Sequence, residues 1–170
     1  MPFYQIEHAT PLNKPQRDAL ATSITTIHTR KFATPSLFVN VRFTDASRDV
    51  NYVGGKECSI NRITGYVRAG GNRSKKDFDD VALKILETWN SIVNPGSKKG
   101  EEREDLELKR VFVMGAITTG VESGFVLPEA GQDAAWLKEN TPRFEELAEQ
   151  GDPEFIELVR EIRSREDLVA

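Results

Sequence analysis

The chain has 170 residues, which fits one domain with a sizeable core or two small repeats fused into one. Charged residues make up 29% and hydrophobic residues 38%, a balance that excludes a disordered chain. A formal charge of −4 and a pI near 5.3 argue against a nucleic-acid or anionic-membrane surface. Cys58 has no cysteine partner, and two histidines with one cysteine make a poor metal site. No apolar run approaches the roughly 18–20 residues of a membrane span. The N-terminus lacks the charged-then-apolar pattern of a secretion signal, so a reducing, cytoplasmic location is expected.

The first residues, Met1-Pro2-Phe3-Tyr4-Gln5-Ile6, carry a candidate chemical group. Proline beside the initiator methionine permits methionine removal, which would leave a free secondary amine. The α-amino reference pKa of about 8 suits either acid or base work. With Met1 retained, the same nitrogen is an amide and has no basicity. Residues 3–8 alternate loosely as a short strand. Asn13 then offers a helix cap, with Pro15 in the first turn and Gln16 at the capping-box position. Leu20, Ile24 and Ile27 mark the buried stripe of a helix ending near Phe32. Residues 36–44 read as a strand, with Phe38, Asn40 and Arg42 on one side and Leu37, Val39, Val41 and Phe43 on the other.

A turn-rich stretch around Tyr52-Val53-Gly54-Gly55 reads as a loop or short hairpin, after which the pattern restarts. Residues 59–69 predict a strand running into Arg68-Ala69-Gly70-Gly71. Ser74 caps a helix with Asp77 three residues on, and its regular stripe (Phe78, Val81, Ile85, Trp89, Val93) stops at Asn94-Pro95-Gly96. Beyond a charged linker at 97–105, residues 106–117 give another strand. Two tandem βαβ units follow from this order, with each helix-separated strand pair parallel and crossing over right-handedly. Residues 118–128 suggest a hairpin or edge strand. Two amphipathic helices come next, one over 134–149 and one opening at Asp152-Pro153, suited to cover an open sheet face or a neighbouring subunit. The expected fold is α/β (α+β). A four-stranded mixed sheet has two helices on one face, and a C-terminal hairpin and helices are added. The expected division is a double βαβ domain over 1–130 (units 1–58 and 59–130) and a helical extension over 131–170.

Four other residues have the right chemistry for a site. His28 falls at the edge of the first helix's stripe, as a half-buried histidine with a backbone partner or as a donor to a substrate oxygen. Arg68 and Arg73 flank a glycine-rich turn before a capped helix. They are either solvated surface groups or a bidentate carboxylate clamp beside a helix N-terminus. Glu122 sits in the apolar run GVESGFVLP, either shown to water on an edge strand or desolvated, with a raised pKa, and able to act as a base towards water.

Taken together, Pro2, the first-helix histidine in SITTIHTR, the string TGYVRAGGNRS, and VESGFVLP followed by a helical Trp136 resemble the tautomerase superfamily. The similarity is greatest to its cis-3-chloroacrylic acid dehalogenase-like branch and runs to about Trp136. It implies two fused βαβ units per subunit, a homotrimer, and no cofactor. It also implies a proline acid or base at Pro2, a substrate carboxylate held by His28, Arg68 and Arg73, and water activated by Glu122. Two departures stand out. The family's arginines are three apart whereas Arg68 and Arg73 are five apart, with Gly71-Asn72 inserted, so one arginine is expected to be displaced. The family's water-assisting tyrosine aligns with Val113, and no tyrosine follows Tyr66. The resulting expectation is a cofactor-independent tautomerase of small unsaturated or 2-oxo acids. Alternatives are a hydratase or dehalogenase of 3-substituted acrylic acids, or a non-catalytic trimeric interaction protein. A ferredoxin-like nucleic-acid binder is disfavoured by the acidic pI and the lack of an aromatic-basic RNA-reading strand.

Overall fold

The computed structural model describes residues 2–95 and 104–168. Strand β1 (Phe3–His8) buries Tyr4, Ile6 and His8 on one face, with Phe3, Gln5 and Glu7 on the other. Helix α1 (Lys14–Phe32) starts as its sequence dictates: the Asn13 side chain accepts from the Gln16 amide, and the Gln16 side chain returns the bond to the Asn13 amide. Strand β2 (Asn40–Asp45) runs parallel to β1. The small hairpin of β3 (Tyr52–Val53) and β4 (Lys56–Glu57) leads to β5 (Asn61–Tyr66), which pairs antiparallel with β1.

The second unit repeats the first. Helix α2 (Lys75–Val93) opens on a Ser74–Asp77 capping box, and β6 (Arg110–Met114) pairs parallel with β5. The sheet order β2-β1-β5-β6 is therefore mixed, as expected from two βαβ units joined through an antiparallel centre. A core between this sheet and α1 and α2 contains Tyr4, Ile6, Ile63, Leu20, Ile24, Ile85 and the fully buried Trp89, whose indole N–H donates to the Leu106 carbonyl at 2.8 Å. Most of the predicted charged linker at 97–105 falls outside the described residues.

Strand bounds differ from the sequence reading where a short helical turn intervenes. Residues 36–44 do not form one strand: Ser36–Phe38 is a 3₁₀ turn, and Phe38 is carried away from the β2 face into a second core. Glu104–Leu106 likewise coils before β6 begins, and β5 is shorter than the predicted 59–69. After β6 comes the hairpin of β7 (Val121–Glu122) and β8 (Phe125–Val126). Helices α3 (Asp133–Glu149) and α4 (Pro153–Ser164) then pack on each other. Their apolar faces meet Phe38, Phe125, Leu127 and each other around Phe144, forming that second core beside the sheet's end and leaving the open sheet face uncovered. Arg165 fastens this layer to the first unit by donating to the carbonyls of Thr29 and Thr34.

Candidate active site

Pro2 is buried at the start of β1, and its carbonyl accepts from the Asn40 amide of β2 at 3.1 Å. It lines a small cavity of about 10 Å³, room for roughly one water molecule, together with Arg68, Phe38, Leu127, Asp133 and Trp136. Both βαβ halves and the C-terminal layer meet at this chamber. Its walls are mostly apolar, and the charged side chains in its lining are Arg68 and Asp133.

The arginine turn resolves the question raised by its length. Arg68 follows β5, and Gly70 (φ 107°) and Gly71 (φ 62°) take the left-handed conformations that glycine tolerates. The chain doubles back to form a bridge between Gly70 and Arg73. The inserted pair thereby folds into a tight loop, and Arg73 is not displaced from Arg68. Both guanidinium groups converge on a single carboxylate, Asp133, the first residue of α3. Arg68 Nη2 donates to Oδ1 and Arg73 Nη2 to Oδ2, each at 2.5 Å. Arg68 Nη1 also donates to the carbonyls of Pro128 and Glu129. Both arginine side chains are only 5% exposed, which removes the solvated-surface reading of this pair. Burial pulls Arg73 below the usual guanidinium range; Asp133 opposes the shift and Arg68 reinforces it.

His28 is fully buried under this cluster. Its Nδ1 lies 2.9 Å from the Tyr4 hydroxyl, so its partner is a side chain and not the predicted backbone group. The Tyr4 ring fits there because Gly65, its register partner on β5, has no side chain: a Cβ on Gly65 would lie 2.6 Å from the ring. Desolvation, with a contribution from Arg73, pushes the His28 imidazole down to about 3, so it is neutral near pH 7. Burial pushes the Tyr4 hydroxyl up, so it too is neutral. Phe32 contacts both the imidazole, with ring centroids 4.8 Å apart, and the Arg73 guanidinium, which lies 4.8 Å over its ring.

Glu122 is half-buried on β7 and accepts from the Asn40 side chain at 3.2 Å; burial raises its pKa. Asn40 thus links the Pro2 carbonyl through its backbone to the Glu122 carboxylate through its side chain. The cavity walls include neither His28 nor Glu122: Pro2 and Arg68 share the chamber, and Arg73 joins Arg68 at Asp133. Sequence reasoning missed Asn40, Tyr4 and Asp133. Asp133 has the pattern of an ordinary acidic residue in a helix's first turn, and nothing local ties it to a turn some sixty residues earlier. Among the described residues no group of three or more His, Cys, Asp or Glu side chains could hold a metal ion, and no helix is long and apolar enough to cross a membrane.

Residues 1–141 match the family model Tautomerase_3, "Putative oxalocrotonate tautomerase enzyme". No curated protein matches the chain. Among solved structures the fold is similar to N1, a member of the cis-3-chloroacrylic acid dehalogenase family, at 21% identity and a TM-score of 0.64, covering 86% of this chain and 98% of that one. It is similar to a probable enzyme from the thermophilic fungus Aspergillus fumigatus at 23% identity and 0.57, over 82% and 94%. A fused 4-OT symmetric trimer matches at 13% and 0.56, over 76% and 98%. With its doubled βαβ sheet and a family match over residues 1–141, the chain belongs to the tautomerase superfamily and shares the fold of the cis-3-chloroacrylic acid dehalogenase family.

Proposed function

We propose that this protein is a cofactor-independent tautomerase acting on small unsaturated or 2-oxo carboxylic acids, with Pro2, freed of Met1, as its acid and base. The observation that carries the reading is that Pro2 and Arg68 share one buried, mostly apolar chamber, with Arg73 converging on the same carboxylate as Arg68. The two guanidinium groups hold the substrate carboxylate through charge-assisted bonds. The prolyl amine takes the enol hydroxyl proton and returns one to carbon. The carbonyl forms as the carbon–carbon double bond shifts, and the nitrogen ends as it began. Such positioned proton transfer contributes about 10²–10⁴-fold. His28, kept neutral, hydrogen-bonds Tyr4 beside the clamp and adds no charge there. The working unit is a homotrimer, a reading supported by the uncovered sheet face and by the trimeric assembly of a fused 4-OT neighbour.

A hydratase or dehalogenase activity is the second reading, favoured by the raised pKa of Glu122 and its link through Asn40 to Pro2. Val113, where the family's water-assisting tyrosine would stand, weighs against it. Ketonisation of phenylenolpyruvate by Met1-free protein, compared with a Pro2→Ala variant, tests the main reading. A loss of at least about 100-fold in kcat/KM is expected, and full retained activity refutes it.

A further inference from the structure

Resting on the reading above, we infer that Asp133 is the internal occupant of the carboxylate site, and that a substrate monocarboxylate binds by exchanging with it at Arg68 and Arg73. The chamber beside Pro2 holds about one water molecule, too little for an acid of five or six heavy atoms, so binding requires a wall to move. Asp133 is the one wall that both arginines grip through its carboxylate. It also faces the opposite side, an outer groove of about 390 Å³ whose lining includes Arg30, Lys31 and Arg73. Moving Asp133 therefore joins this outer groove, whose Arg30 and Lys31 are paired with Asp167 and Asp77, to the Pro2 chamber.

Electrostatics makes the exchange feasible. Two guanidinium groups buried side by side repel each other unless an anion lies between them, and an emptied site would leave them uncompensated. One carboxylate replacing another preserves the local charge while Asp133 regains water. Arg68 keeps its bonds to the carbonyls of Pro128 and Glu129, so the clamp stays positioned as the acid leaves. The helix start can yield: α1, α2 and α4 carry side-chain caps, whereas Gln132 at the head of α3 makes none. Two polar groups of the chamber's own residues, Arg68 Nε and Thr34 Oγ1, are buried without a partner. They offer a place for a second ligand oxygen, such as a 2-oxo group. Among the described residues no other cationic side chain lines the chamber, so a second carboxylate would find no second guanidinium there.

Because the site opens only when Asp133 departs, apparent affinity is reduced by the fraction of molecules in which it has departed. Asp133→Asn keeps the shape and removes the charge. Titration calorimetry with pyruvate, on protein shown by circular dichroism to be folded, is expected to give a dissociation constant at least tenfold lower for the variant, while uncharged pyruvamide gains nothing. An unchanged or weaker pyruvate affinity overturns the exchange. Unmutated protein supplies a second readout: saturating pyruvate should speed hydrogen exchange at amides 137–140, which bond back to the first turn of α3, and slowed exchange there overturns the proposal. If Pro2→Ala abolishes turnover while Asp133→Asn leaves affinity unchanged, the exchange is refuted and the catalytic reading stands.

Discussion

His28 offers a test at the scale of a single residue. Folded, its imidazole stays neutral until pH falls to about 3, whereas in the unfolded chain it takes a proton near its ordinary value of 6.5. Between those values the unfolded state binds more protons, so the stability His28 confers is complete above pH 6.5 and is lost as pH falls towards 3. The slope approaches about 1.4 kcal/mol per pH unit. Urea unfolding at pH 7.0 and 5.5 should show the protein losing about 1 kcal/mol, and His28→Gln, which retains an acceptor for Tyr4, should lose much less. An equal loss in both would mean that the imidazole is not the group responsible. His28 also marks a limit of sequence reading. Its position at the stripe's edge was visible, but the partner that makes it deeply buried is Tyr4 on another strand, admitted by the absence of a side chain at Gly65. Pairings of that kind depend on tertiary register and leave no local signal.

Among elements, those governed by local chemistry were legible and those governed by long-range packing were not. The Asn13 and Ser74 capping boxes, with their partners three residues on, place the starts of α1 and α2 to the residue. Strand ends failed where side-chain alternation continued into a segment that coils: Phe38 keeps the strand pattern, yet it serves the core built by α3 and α4. The loop between Arg68 and Arg73 illustrates both cases. Its glycines announced a turn, but only the packed fold reveals that the extra two residues bring the guanidinium groups together. Gly71 is the position under most constraint. It has φ 62°, and a Cβ there would lie 2.2 Å from the Ala130 carbonyl oxygen, in backbone that cannot swing aside as a side chain would. Gly71→Ala should therefore cost at least about 1–2 kcal/mol of stability. It should also weaken binding of pyruvate by pushing Arg73 away from Arg68, whereas Gly54→Ala, equally left-handed but in open space, should affect stability alone. Matched pyruvate affinities for the two variants would show that the loop's packing does not position the clamp.

On the scale of the whole molecule, the arrangement of layers leaves one surface in need of a partner. Helices α1 and α2 cover one face of the sheet, and α3 and α4 close the end of the molecule around Phe144, so neither layer covers the opposite face. Phe112 and Met114, at the edge strand β6, are 48% and 46% exposed there, and Val121 and Val126 on the β7–β8 hairpin are 65% and 62% exposed. Large side chains exposed in this way on a stable protein mark a contact surface. In the trimer we propose, each copy's uncovered face packs against the others, which removes the edge strand β6 as a site of uncontrolled pairing. A charge placed in that contact must be desolvated three times over, once per subunit, with no opposite charge supplied in return. Phe112→Asp is therefore expected to convert the assembly to monomers in sedimentation-velocity experiments at micromolar concentration, while Val50→Asp, on a still more exposed apolar residue of the loop before the β3–β4 hairpin, leaves the trimer intact. Since Pro2 leads directly into β1, the strand next but one to β6, loss of the trimer should reduce kcat/KM without altering the far-ultraviolet spectrum of the fold. A Phe112→Asp protein that remains trimeric would assign the contact to a different surface.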